Sequence, residues 1–237
     1  MHGRHAPESD TRRERVRLTS ERSPYILGSL RNADIVLFHN SSPYKSPVVH
    51  CQKAFGFRGD AAHISHVALY VGQGLICHSN PRLLHGYGGV TMEELSRAAD
   101  GQDVTVVRFE ELNGEEGLQK LDGICALAKF AQGCPYNYKG VFDLAVGAAQ
   151  MLINKGRGAA YLSEISRKYD IENVKHVLGV SAASNEFLCS DFVFNCYDEV
   201  LREENPLSDP NVMRSPNRLP AEFYENSRLS TVQLLAG

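Results

Sequence analysis

Two β-rich runs joined by Gly72-Gln73-Gly74 constrain this chain more than any other feature. His66-Val67-Ala68-Leu69-Tyr70-Val71 runs into the glycine pair, and Leu75-Ile76-Cys77-His78 runs out of it. A short glycine-bearing link between such runs is a hairpin signal, because glycine supplies the positive φ that tight hairpin turns need. An antiparallel pairing brings His66 and His78, both distant from the turn, side by side, where one ring can hydrogen-bond and orient the other. Strand alternation puts His66 on the face of Ala68 and Tyr70, and a polar ring there must find a partner or cost stability. Taken singly, His66 reads as a satisfied histidine at a strand start and His78 as a surface residue before Ser79-Asn80-Pro81. Their juxtaposition weakens both readings.

Around the hairpin the pattern is mixed. Ala33-Asp34-Ile35-Val36-Leu37-Phe38 predicts a strand, followed by a polar Ser/Pro loop, and Val104 to Phe109 predicts another. Leu118, Leu121, Ile124, Cys125 and Ala128 recur at helical spacing, so a helix should reach about Gln132 and stop at Gly133-Cys134-Pro135. Further helical stretches are expected over Lys139 to Asn154, around Leu162 to Lys168, and after Cys189, where Phe192, Val193, Cys196, Tyr197, Val200 and Leu201 share a face. A helical turn and a strand-like run near Leu229 to Leu234 close the chain. Residues 1–24 are polar and basic and read as a disordered leader. Residues 25–237 read as a single α+β domain, an antiparallel sheet packed against helices, with a helical insertion at 139–180.

Cys189 carries the chemical interest. At the first turn of a helix its sulfur feels the positive end of the helix dipole, which lowers a thiol pKa toward the reactive range. Backbone N–H groups there, beginning with that of Cys189 itself, can stabilise an oxyanion on an attacked carbonyl. Considered alone, a free cysteine is more often a small core residue. With His66 as base and His78 as orienter, however, the parts of a thiol nucleophile are present, in the order base first and nucleophile last. Metal binding is the rival use: His63, His66, Cys77 and His78 are zinc-ligand types, but their spacing fits no compact zinc pattern and neighbouring strand residues face opposite ways. No cofactor is implied, since the glycines at Gly72 and Gly86 to Gly89 lack the lysine of a phosphate-binding loop.

Composition narrows the partners. Net charge is −3, so the basic domain that nucleic-acid binding usually needs is absent. Val141 to Ile153 is the longest mostly apolar stretch, too short to span a bilayer and broken by Asp143 and Gln150. No secretory signal follows the charged start, and six irregularly spaced cysteines suit reduced thiols better than a disulfide framework. The expected location is the cytoplasm, or outside it by a signal-independent route.

These motifs resemble those of the permuted papain-like amidases, the circularly permuted branch of the NlpC-type superfamily that includes YiiX-like and lecithin:retinol acyltransferase-like proteins. The family's G-D-I-V-L-F strand is matched by Ala33 to Phe38, with Ala33 in place of glycine. Its H-V-x-L-Y-x-G strand is matched by His66 to Gly72, with His78 in the place of the third polar residue. Its C-S-[DE]-hydrophobic-V motif is matched by Cys189 to Val193. Gly133 to Tyr138 resembles the G-x-x-Y-[ND] segment, and Ser215 to Leu219 the proline-containing tail. The stretch 139–180 and the basic leader depart from the pattern. The resemblance implies a circularly permuted papain-like fold, with Cys189 as nucleophile, His66 as base, His78 as orienter and no metal. The implied activity is a cysteine-dependent amidase or peptidase, with cell-wall peptides among its substrates, acting through a thioester. A thiol acyltransferase or lipid hydrolase on acyl-lipid substrates is the second activity, and an inactive peptide- or lipid-binding module the third. Tyr136 and Tyr138 are candidates for lining the substrate groove.

Overall fold

The computed structural model describes residues 13–17, 27–40, 47–81, 88–99, 101–153, 186–208 and 218–234. The sheet is built around β2 (Ile35–His39), four apolar residues and a histidine, all buried. It pairs on one edge with β3 (Ile64–Tyr70) and on the other with β6 (Asp103–Arg108). β4 (Leu75–Asn80) pairs with β3, and β5 (Gly89–Glu94) with β4. Two short strands, β1 (Val16–Arg17) and β7 (Ser230–Thr231), lie along the free side of β6, opposite its two ends. Every pairing between these strands is antiparallel, so the fold is α+β with an open antiparallel sheet of order β1-β6-β2-β3-β4-β5 and β7 beside β6.

Alternation along the strands divides the interior. Ile35, Leu37, Val67, Leu69 and Cys77 face the larger core, with Leu121, Ile124, Cys125 and Ala128 of α3 (Glu115–Phe130) and Phe192, Val193, Cys196 and Tyr197 of α5 (Cys189–Leu201). Val36, Phe38, Ala68, Tyr70 and Ile76 face a smaller core closed by Leu95, Ala99, Val232 and Leu234. The remaining helices are α1 (Pro47–Ala54), the single turn α2 (Leu95–Ala98), α4 (Tyr138–Ile153) and α6 (Pro220–Glu225). Gly133, at φ 84°, turns the chain after α3, and the side chain of Asn137 accepts the Gly140 N–H at 2.7 Å to cap α4.

The hairpin forms as its turn residues demand, with Leu69 opposite Cys77 and Tyr70 opposite Ile76. Asp34, almost wholly buried, is held by a two-pronged pair to Arg108, with both N–O distances 2.7 Å. Ala33, where the resembled family carries glycine, stands at φ 64°, and its carbonyl accepts the Tyr197 hydroxyl at 2.6 Å.

One expectation is corrected. Residues 13–17, read as part of a disordered leader, belong to the folded unit. Val16 is buried opposite Val104, Thr105 Oγ1 donates to the Glu14 carbonyl, and Arg13 Nη2 donates to the Asn226 carbonyl at 2.8 Å. A single apolar residue suffices there because the backbone ladder and the arginine contacts supply the rest. The α1 helix arises where a polar loop was expected, and β5 where no element was assigned. The helix expected around Leu162 to Lys168, most of the 139–180 insertion, and Ser215 to Asn217 lie outside the described residues.

Candidate functional site

The site begins where β3 and β4 part. Their ladder ends at Leu69 and Cys77. N–H groups along an antiparallel strand alternate between its two edges. The Tyr70 N–H bonds the Asp34 carbonyl on the β2 side, so the Val67 N–H points the other way, into the fork. The start of α5 fills that fork. Ser79 Oγ donates to the Phe187 carbonyl at 2.6 Å, and the Val67 N–H is directed at the sulfur of Cys189. Sequence positions more than a hundred residues apart meet because the helix start replaces the missing strand partner.

His66 and His78 meet at the fork as diagonal neighbours on one face, since the Leu69–Cys77 register, carried on, sets His78 opposite Ala68. His66 Nε2 and His78 Nδ1 are 2.7 Å apart, with the rings edge to face at 4.9 Å between centroids. A third residue, unanticipated from the sequence, joins them: Glu93 of β5 brings Oε1 to 2.7 Å from His78 Nε2. That oxygen lies off the N–H axis, so the approach is a close contact rather than a well-aligned hydrogen bond. Glu93 pairs across the ladder with Ile76, which shares a face with His78, so the diagonal neighbour relation brings carboxylate and ring together. The only signal in the sequence was a glutamate after a glycine-initiated β-branched pair, Gly89-Val90-Thr91.

Cys189 does not complete a hydrogen-bonded chain. The sulfur sits at Val67, one residue along β3 from His66, but no hydrogen bond joins it to the His66 ring. The His66 ring packs on Phe38, 5.5 Å between centroids, on the side of the smaller core, whereas Cys189 belongs to the larger one. The thiol is not activated by the helix start alone, contrary to the dipole expectation. Burial pushes it up to about 11, and Asp191 adds to the rise, while the N–H groups of Val67 and Ser190 and the Ser190 hydroxyl pull in the opposite direction. Burial of the ring, and then its neighbour His78, hold His66 well below the ordinary histidine range. A neutral thiol and a neutral His66 ring form the stable arrangement.

A small, mainly apolar cleft adjoins the sulfur. Its walls include Val48 and Cys51 of α1, Val141 and Leu144 of α4, Tyr136, and Leu219 before α6. Of the two expected groove residues, Tyr136 lines it; Tyr138 packs against Tyr136, 5.0 Å between ring centroids, and is not part of the wall. Arg218 secures the end of α5: its N–H donates to Asp191 Oδ1 and its carbonyl accepts the Ser190 hydroxyl at 2.7 Å. Its guanidinium lies over the Phe194 ring at 4.0 Å.

The zinc alternative divides across the sheet. Cys77 points into the larger core, where Sγ donates to the Ala128 carbonyl at 3.3 Å, while His78 faces Glu93. Among the described residues no group of three or more His, Cys, Asp or Glu is disposed to hold a metal, and no helix is long and apolar enough to cross a membrane. No protein-family model matches the chain, and no curated protein shows significant similarity to it.

Proposed function

We propose that the protein is a cysteine-dependent hydrolase, an amidase or peptidase, working through a thioester on Cys189 in a circularly permuted papain-like domain. The observation that carries this is the seating of a helix-initiating cysteine against β3, one residue from a histidine that is itself backed by a second histidine. In the acylation step His66 takes the Sγ proton and the sulfur bonds to the substrate carbonyl carbon. Positioned N–H groups at the start of α5, including that of Cys189, stabilise the oxyanion. Collapse breaks the C–N bond, and His66 returns the proton to the departing amine. Water, deprotonated by His66, then attacks the thioester; the acid leaves and the sulfur regains its proton. Cell-wall peptides remain the substrate class that the sequence resemblance suggests.

The cleft supports a second reading, a thiol acyltransferase or lipid hydrolase, because the walls beside the sulfur are mainly aliphatic and suit an acyl chain better than a polar peptide. The rival to both is a binding module that uses the cleft without chemistry. The test is incubation with p-nitrophenyl hexanoate and with peptide p-nitroanilides, followed by intact-mass detection of an acyl adduct. Acylation at Cys189 that is lost in Cys189→Ala and falls steeply in His66→Ala supports a thiol enzyme, and the preferred leaving group separates amidase from acyl-ester chemistry. No adduct with either probe class, in a folded protein, leaves the binding module.

A further inference from the structure

We propose that Glu93 is a positioning residue for this site, setting the tautomers of both histidines so that His66 Nδ1 is the free base. The proposal rests on the thiol-enzyme reading above. A carboxylate is an acceptor only. An oxygen 2.7 Å from His78 Nε2 would repel a lone pair, so that nitrogen carries a proton. In a neutral ring the other nitrogen, Nδ1, is then an acceptor. It lies 2.7 Å from His66 Nε2, which must therefore be the donor. His66 Nδ1 is left unprotonated, and no hydrogen bond among the described residues engages it. Without Glu93 either polarity of the His66–His78 hydrogen bond satisfies the pair, and in the reversed polarity His78 Nδ1 donates and His66 Nδ1 holds the proton. The base would then be missing from the side of the ring that the relay leaves open.

The same geometry stabilises the charge formed during reaction. When His66 accepts the thiol proton, its Nε2–H proton can shift to His78 Nδ1. His66 is neutral again and His78 becomes an imidazolium beside the Glu93 carboxylate. Both partners are largely shielded, with side-chain exposures of 3% for His78 and 14% for Glu93, so the attraction is little screened by solvent. The proton count is unchanged; only the location of the positive charge moves.

The first measurement is of the wild-type chain, by ¹⁵N–¹H correlation of its histidine rings at neutral pH. Both His66 and His78 are expected as Nε2–H tautomers with bare Nδ1; a protonated Nδ1 on either ring overturns the assignment. The second is the acylation rate of Cys189 by p-nitrophenyl hexanoate in Glu93→Gln, with thermal unfolding as the control for fold. A fall of about 10- to 100-fold is expected, by analogy with the loss of a carboxylate that orients a metal-bound histidine, together with mixed tautomers of His66. An unchanged rate in Glu93→Gln beside a large loss in His66→Ala would overturn the role of Glu93 and leave the thiol-enzyme reading standing. A rate indifferent to His66→Ala as well would sink both.

Discussion

Alkylation of Cys189 as a function of pH tests the electrostatics of the site directly. Burial and Asp191 move the thiol from 9.0 to about 11. Two units correspond to about 2.7 kcal/mol, or a ~100-fold smaller thiolate fraction than an unperturbed thiol has at the same pH. At pH 8 about one Cys189 in a thousand would be ionised. His66, held well below its ordinary range, does not supply a standing imidazolium to offset this. The expected result with iodoacetamide, quantified at the Cys189 peptide, is a rate that climbs about tenfold per pH unit from 7 to 10 without levelling. Its slope in that range should be unaffected by His66→Ala, because the histidine acts during acyl transfer rather than by holding a thiolate beforehand. Cys134, the one cysteine that is not buried, reports labelling of an accessible thiol in the same sample. Restricted access lowers the Cys189 rate at every pH but leaves its slope intact. A plateau reached by about pH 7 would refute the reasoning, since it requires a preformed thiolate–imidazolium pair.

Two further predictions concern the frame. Ala33→Gly should leave stability unchanged within about 0.5 kcal/mol or raise it, against the usual loss on placing glycine in an ordered segment, because relief of the positive φ at Ala33 offsets the added chain entropy; urea denaturation measures this, and a loss above about 1 kcal/mol contradicts it. His39 is buried, with Nε2 2.9 Å from Thr105 Oγ1, and burial, Arg15 and His63 lower it from 6.5 to about 3. Below pH 6.5 the unfolded chain binds a proton that the folded chain refuses, so stability present above 6.5 drains away as pH falls toward about 3, at up to about 1.4 kcal/mol per unit for this group. His39→Gln should flatten the acid limb of a stability–pH curve by one proton's worth, and an unchanged limb would show that His39 charges in place.

What could be read beforehand was what local chemistry specifies. The Gly72-Gln73-Gly74 turn predicts the hairpin and puts His66 and His78 on one face of it, but the ladder stops at Leu69 and Cys77, so their contact is a diagonal one made at the fork. The Gly133-Cys134-Pro135 stop and the periodicity from Leu118 to Ala128 likewise predict α3. Glu93 escaped because its role depends on which strand lies beside β4, a non-local choice that the modest β-propensity of Gly89-Val90-Thr91-Met92-Glu93 does not advertise. The pH behaviour of Cys189 escaped for a different reason. A helix start is visible in sequence, but the desolvation that outweighs it depends on how closely Phe187 to Cys189 seat in the fork. The β1 strand has one buried residue, Val16, in a charged neighbourhood, too little for any pattern to register.

The short strands β1 and β7 cover neighbouring stretches of one side of β6, and that cover has a consequence for handling the chain. An uncovered strand edge offers unpaired N–H and C=O groups to any other extended segment, including a second molecule's. β6 carries Val104, Val106 and Val107, the β-branched composition that such templating favours. A trimmed version starting at residue 25 would discard half of the protection along with the residues that look dispensable. Without Val16 and Arg17, the Asp103–Val104 end of β6 would be left with an open edge.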